Sequence, residues 1–216
     1  MTPNKEDYLK ELCKLGERDG MVGNKKLAEI LKISPASVSE MLSKLGKEGL
    51  IEYEPYKGSR LTAQGYEKAV LLLRSHRLWE VFLVEHLSYS WSEVHEDANR
   101  LEHVTSAKLA ERLDTYLQRP DHCPHGATIP REGSTARLPE LTTLNLLRPG
   151  DETVVRRVVE ETELLEYLGS LGVKIGMPIK LMDAAAYEGP LTLELGGQRV
   201  QMSYKAACQI YVDKIS

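Results

Sequence analysis

The sequence predicts a mainly α chain: a winged helix-turn-helix at the N-terminus, a helical middle and a small strand-rich barrel at the end. Three observations predict it. Apolar residues recur at helical spacing as far as Leu117, a hairpin pattern with a basic tip follows the third helix, and from residue 143 β-branched runs alternate with glycines. The implied boundaries are 1–62, 63–142 and 143–216, because a chain of 216 residues favours two or three small domains over one core.

In order, residues 5–18 place Tyr8, Leu9, Leu12 and Leu15 on one stripe of a helix that Gly20 and Gly23 end. A short helix runs from Asn24, its expected N-cap, to Leu31. The third helix has Ser34 as N-cap and Pro35 in the first position, where a missing N–H costs nothing, and turns Val38, Met41, Leu42 and Leu45 inward. Its opposite face carries Ser37, Glu40, Ser43, Lys44 and Lys47. Small hydroxyls near a helix start with lysines further along suit a major groove flanked by phosphates. A hairpin follows, with Leu50, Ile51 and Tyr53 on one arm, Lys57-Gly58 at the turn, and Arg60 and Leu61 on the return. The candidate DNA contacts are Pro35, Ser37 and Ser39 at the helix start, Lys44 on phosphate, and Lys57 and Arg60 on the wing. A small helical domain without DNA contact is the alternative.

The helix expected over 63–88, capped by Thr62, carries Val70, Leu71, Leu73, Leu78, Phe82 and Leu83. That apolar face is wider than one partner needs, so a homodimer through residues 63–118 is expected. Ser92 is the expected cap of the next helix, whose acid-rich start (Glu93, Glu96, Asp97) suits the helix dipole, and Ser106 to Leu117 supply another. Prolines, glycines and small polar residues make Arg119 to Pro139 a loop. Beyond it, strands are expected in Thr153–Val159, Pro178–Met182 and Gln209–Val212, with one helix over Glu163–Leu171.

Composition narrows the class. No apolar run approaches the ~20 residues of a membrane span, and the N-terminus lacks the apolar core of a signal peptide, so a cytoplasmic protein without membrane contact is expected. Three scattered cysteines, Cys13, Cys123 and Cys208, argue for reduced thiols over a disulfide framework. The net charge of −4 excludes a uniformly basic nucleic-acid binder. Its distribution matters more: residues 1–62 hold 11 Lys+Arg against 10 Asp+Glu, and the remainder 17 against 22, so a DNA-binding surface belongs to the first segment.

Imidazoles and carboxylates gather between Arg74 and Val104. At about 100° per residue, His95, Asn99, Glu102 and His103 share one sector of a helix, and His76 and Glu80 lie one turn apart on the helix before it. Asp7 stands early in the chain, and Cys123 and His125 lie in the loop sequence DHCPHG. Nitrogen, oxygen and sulfur donors of these kinds hold first-row divalent metals, oxygen-rich sets suiting manganese and sulfur suiting softer ions. A pair of amphipathic helices with solvated polar faces is the plainer reading of the helical part.

Together, MTPNKEDYLK, SPASVSEMLSKLGKEGL, LTAQGYEKA, SHRLWEVFLVEHL, RLEHVTSAKLAERLD and CPHGATIP resemble the diphtheria-toxin-repressor and manganese-transport-regulator family over essentially the whole chain, and most of all its three-domain streptococcal-type manganese regulators. The resemblance implies a metal-dependent transcriptional repressor, not an enzyme, that binds operator DNA as a homodimer to control metal-uptake genes. It implies a winged helix, a helical dimerisation and metal-binding domain, and an SH3-like C-terminal domain. It also implies two ligand sets: Asp7, His76, Asn99, Glu102 and His103 in one, and Glu80, Cys123, His125 and Glu160 in the other, to which His95 contributes as the matching histidine does in related iron regulators. Three positions depart from the family pattern. Asn99 stands where glutamate or cysteine is usual, Glu160 where close relatives have aspartate, and Lys10 where shorter manganese regulators have a carboxylate ligand.

On this reading the harder, oxygen-rich Asp7 set operates the switch and the Cys123 set tunes stability. Mn2+ is the expected effector, Fe2+ the alternative, and Zn2+ an in vitro competitor. Two rivals stand beside it: a zinc-dependent hydrolase, for which no HExxH-type motif supplies a base, and a winged-helix regulator that answers an organic effector.

Overall fold

The computed structural model describes residues 3–54, 57–131 and 140–214. Contacts divide the chain into two compact units, Met1–His76 with Asn99–Leu113, and Arg77–Ala98 with Asp114–Ser216.

The first unit opens with helices α1 (Pro3–Asp19), α2 (Asn24–Leu31) and α3 (Pro35–Lys47), then strands β1 (Ile51–Glu54) and β2 (Gly58–Leu61). Tyr8, Leu9 and Leu12 of α1, Leu27 of α2, Val38, Leu42 and Leu45 of α3, and Leu50 and Ile51 are buried in one core, which Ala69 and Leu73 complete. Ser34 caps α3 as expected, its hydroxyl accepting from the Ser37 N–H at 3.1 Å, with Pro35 in the first turn. The α2 cap differs from expectation: Gly23 takes the position without a side-chain bond, and Asn24 is the first helical residue. Its amide instead donates to Ser39 Oγ at 3.0 Å and Tyr53 Oη at 3.3 Å, tying α2 to α3 and the wing. β1 and β2 pair antiparallel, and Val22 adds a bridge to Ser59. Gly58 is required there: its φ is +120°, and a Cβ would lie 2.3 Å from the Val22 carbonyl oxygen.

Helix α4 (Ala63–Leu87) starts at the expected cap, Thr62 Oγ1 accepting from the Gly65 N–H at 3.1 Å. Helix α5 (Val94–Glu102) begins two residues after Ser92, whose hydroxyl pairs with that of Ser90 at 3.2 Å, so the expected Ser92 cap is displaced into the preceding turn. Helix α6 (Ala107–Tyr116) is capped by Ser106, whose hydroxyl accepts from the Leu109 N–H.

In the second unit, residues 119–131 form an irregular loop with one bridge, His122 to Thr128, and the rest of the expected loop, 132–139, lies outside the described residues. After it come β3 (Leu141–Thr143), β4 (Glu152–Val158), α7 (Thr162–Ser170), β5 (Pro178–Ala184), β6 (Leu191–Leu195), β7 (Gln198–Met202), α8 (Tyr204–Ala207) and β8 (Ile210–Asp213). Six strands form one antiparallel sheet in the order β3-β8-β4-β5-β6-β7, curved by irregularities between Val155 and Arg157 and between Leu181 and Asp183. Alternate residues Val155, Ile179, Leu181, Leu191, Leu193 and Val212 point to a core that Leu164, Leu165 and Leu168 of α7 close. None of the three cysteines is in a disulfide.

Candidate metal centres and nucleic-acid interface

In the first unit, α1 supplies Asp7, α4 supplies His76, and the end of α5 supplies Asn99, Glu102 and His103. One ligand atom from each of Asp7, Glu102 and His103 lies within 4.8 Å of the others. His103 Nε2 is 3.3 Å from Asp7 Oδ1 and 3.6 Å from Glu102 Oε1, while His76 Nδ1 contacts Glu102 Oε2. Glu102 is fully buried at its side chain. Burial pushes its carboxyl up, but the His76 imidazole and the Lys10 ammonium outweigh that and hold it below the usual range. Asp7 goes the other way, burial raising it against the pull of Lys10 and His103.

Two side chains enter this cluster that the ligand pattern does not include. Glu6 Oε2 lies 2.6 Å from His103 Nδ1. Lys10 is only 3% exposed, and its ammonium donates to Glu102 Oε1 at 2.5 Å and to Asn99 Oδ1, with Asp7 Oδ1 at 3.8 Å. Helix spacing holds the signal for both, since Lys10 is three residues from Asp7 and four from Glu6.

In the second unit, Glu80 of α4, Cys123 and His125 of the loop, and Glu160 beyond β4 each bring a ligand atom within 4.8 Å of one another. His125 Nδ1 lies 3.4 Å from Glu80 Oε1 and 3.9 Å from Cys123 Sγ, and His95 Nδ1 lies 3.5 Å from Glu80 Oε1. His125 Nε2 is 2.7 Å from the Trp91 carbonyl, which only accepts, so Nε2 carries a proton and Nδ1 is the nitrogen turned to the cluster. Glu80, Cys123 and His125 are buried and Glu160 half-buried. Burial, then the charges of Glu80 and Glu160, push the Cys123 thiol well above its ordinary value. Burial would lower His125, but the bond to Glu80 and the nearby carboxylates raise it. Converging thiol, imidazole and two carboxylates, with the imidazole oriented by an outer bond, fit a divalent first-row ion.

The loop is held from beneath. The His125 carbonyl accepts from the Val158 N–H at 3.0 Å, Cys123 N–H donates to Ala127 O at 2.9 Å, and the Arg77 guanidinium donates to Thr128 O. Gly126 has φ +83°, and a Cβ there would lie 1.8 Å from Arg156 O.

On the candidate DNA face, Pro35, Ser37, Lys44, Lys57 and Arg60 are exposed. Ser39 is half-buried, its hydroxyl accepting from Asn24 and donating to Pro35 O at 3.0 Å, so it serves the internal packing of α2 and α3. Ser37 Oγ pairs with Ser34 Oγ at 2.9 Å. Each basic group has a carboxylate beside it: Lys44 with Glu40 at 2.7 Å, Lys57 with Glu54 at 2.7 Å, and Arg60 with Glu52 at 2.5 Å. Such exposed pairs are weak enough to yield to phosphate.

Three family models match in succession: the iron dependent repressor N-terminal DNA binding domain over residues 1–59, the iron dependent repressor metal binding and dimerisation domain over 62–131, and the FeoA domain over 142–214. Among solved structures, the manganese regulator SloR is 41% identical, with each chain wholly covered and a TM-score of 0.83. A manganese-dependent transcriptional repressor in complex with manganese is 31% identical, covering 98% of this chain and 100% of that one, with a TM-score of 0.89. The diphtheria toxin repressor of Corynebacterium efficiens is 26% identical over 97% of this chain and 95% of its own length. Among the described residues no helix is long and apolar enough to cross a membrane. With DNA-binding, dimerisation and FeoA models matched in the family's order, and a metal-binding model laid over the histidine and cysteine clusters, the chain belongs to the iron-dependent repressor family of metal-dependent transcriptional repressors, which are regulators and not enzymes.

Proposed function

We propose that the chain represses metal-uptake genes by binding operator DNA as a homodimer when a divalent metal, physiologically manganese, is present. Residues 1–62 bind DNA, 63–142 dimerise and bind metal, and 143–216 form the SH3-like part. The observation that carries this reading is the buried convergence of Glu80, Cys123, His125 and Glu160, with His95 beside it. The second donor set is Asp7, His76, Asn99, Glu102 and His103. A bound divalent ion would supply positive charge that draws carboxylates and imidazoles of separate elements together. The chain's own residues do the rest. Trp91 orients His125, Ser34 and Pro35 fix the start of α3, and Lys44, Lys57 and Arg60 release their carboxylates for phosphate. A useful switch needs about 1–3 kcal/mol of coupling between metal and DNA, and operator DNA tightens metal binding by the same factor.

Manganese is favoured by the oxygen-rich Asp7 set and by the manganese-bound relative. Iron is the alternative and zinc a competitor in vitro. A random duplex pool selected on the protein with Mn2+ supplies the operator, which is then titrated with Mn2+, Fe2+ and Zn2+ separately. Manganese should tighten binding by roughly 5–150-fold over chelated protein. Chelated protein that binds as tightly would favour an organic effector.

A further inference from the structure

We infer that Lys10 is a tethered cation that fills the Asp7–Glu102–His103 cluster and must be expelled before a divalent ion can enter. Native protein therefore loads the Cys123 cluster first and the Asp7 cluster only at higher metal concentration. The inference rests on the metal-dependent reading above and assigns Lys10 the threshold of its second step.

The ammonium stands where an incoming cation would stand. Its partners are Glu102 Oε1, Asn99 Oδ1 and, further off, Asp7 Oδ1, three oxygens of the ligand set. Lysine is almost never this buried unless paired, and here the pairing is with Glu102, whose side chain is itself out of water. Asn99 fits the same account. An amide carbonyl satisfies the ammonium without adding a second buried negative charge, whereas a carboxylate at that position would over-balance one lysine and favour a doubly charged ion. Entry is not blocked sterically: a cleft of about 220 Å3 lined by Glu6, Lys68, Leu71, Ser75, Glu102 and His103 opens beside the cluster. What opposes an ion is the like charge already in place.

The Glu80–Cys123–His125–Glu160 set brings four donors within 4.8 Å of one another, against three in the Asp7–Glu102–His103 set. Four donors already converging hold an ion more readily than three that share their oxygens with an ammonium.

The test is a Mn2+ binding isotherm by calorimetry on the full-length dimer, read as stoichiometry and stepwise Kd. Native protein should bind two ions per chain in two separated steps, or one ion within the accessible range. Lys10→Met, which keeps the length and removes the charge, should tighten the weaker step at least tenfold and leave the tighter one in place. Lys10→Gln should do the same, which guards against a packing effect of methionine. Without metal, both variants should melt lower than native protein, because Glu102 loses its buried partner, and Mn2+ should restore them. Cys123→Ser should remove the tighter step. An unchanged or weakened second step in both Lys10 variants would overturn the inference. Native protein that binds no Mn2+, Fe2+ or Zn2+ at all would instead overturn the metal-dependent function.

Discussion

Gly126 shows how narrow the tolerance of the second cluster is at the level of one residue. Its positive φ and the 1.8 Å approach of a would-be Cβ to Arg156 O leave no room for a methyl group. Gly126→Ala should push the Cys123–His125 loop off β4, cost at least about 1–3 kcal/mol in thermal unfolding, and weaken Mn2+ binding in the tighter calorimetric step. An unchanged isotherm would show that the loop does not need this seat. At the same scale, the sequence made the donors on helices legible by spacing: His76 and Glu80, and His95, Asn99, Glu102 and His103, fall on shared sectors, although His95 Nδ1 turns to Glu80. Glu160 carries no such signal, because it lies beyond a strand and reaches its cluster only through the sheet, and family resemblance alone points to it. Lys10 lies one turn from both Glu6 and Asp7, yet a lysine and a glutamate on a charged helix read as solvent-facing until the chain is folded.

Among the elements, α3 and the wing bear the proposed DNA contacts. Lys44→Ala or Arg60→Ala should each reduce the slope of log affinity against log salt by about one, and weaken binding on specific and non-specific duplexes alike. Because Lys44 and Arg60 neutralise Glu40 and Glu52 in the free protein, each substitution also leaves a carboxylate facing phosphate. Paired Glu40→Gln and Glu52→Gln variants should bind more tightly. An unaltered salt slope would remove the residue from the interface. Helices α1 to α4 and the hairpin follow from periodicity, cap residues and the Lys57-Gly58 turn. The C-terminal sheet is only partly legible. β7 is mostly exposed and polar, an edge strand with no apolar run, and β3 and α8 span three and four residues, too short for any period to register. β6 has a period-two signal in Leu191, Leu193 and Leu195 that a search for β-branched runs passes over.

For the whole molecule, the unspent apolar surface is the informative quantity. Tyr66, Leu71, Leu87, Val104, Leu109 and Tyr116, all within 63–118, are exposed, Val104 at 78% and Tyr116 at 61%. A protein that stayed monomeric would leave these to water, so sedimentation at micromolar concentration should report twice the chain mass, and Leu109→Lys with Val104→Lys should shift it toward one. A monomeric native protein would refute the dimer. The bond from Val158 N–H to the His125 carbonyl, with Glu160 two residues further on, has a genetic corollary. Splicing a foreign tail onto the first 142 residues would carry off one donor and the floor under two others, so recombination cannot trade the C-terminal sheet as a neutral accessory. In this chain the Cys123 cluster and that sheet are inherited together or lost together.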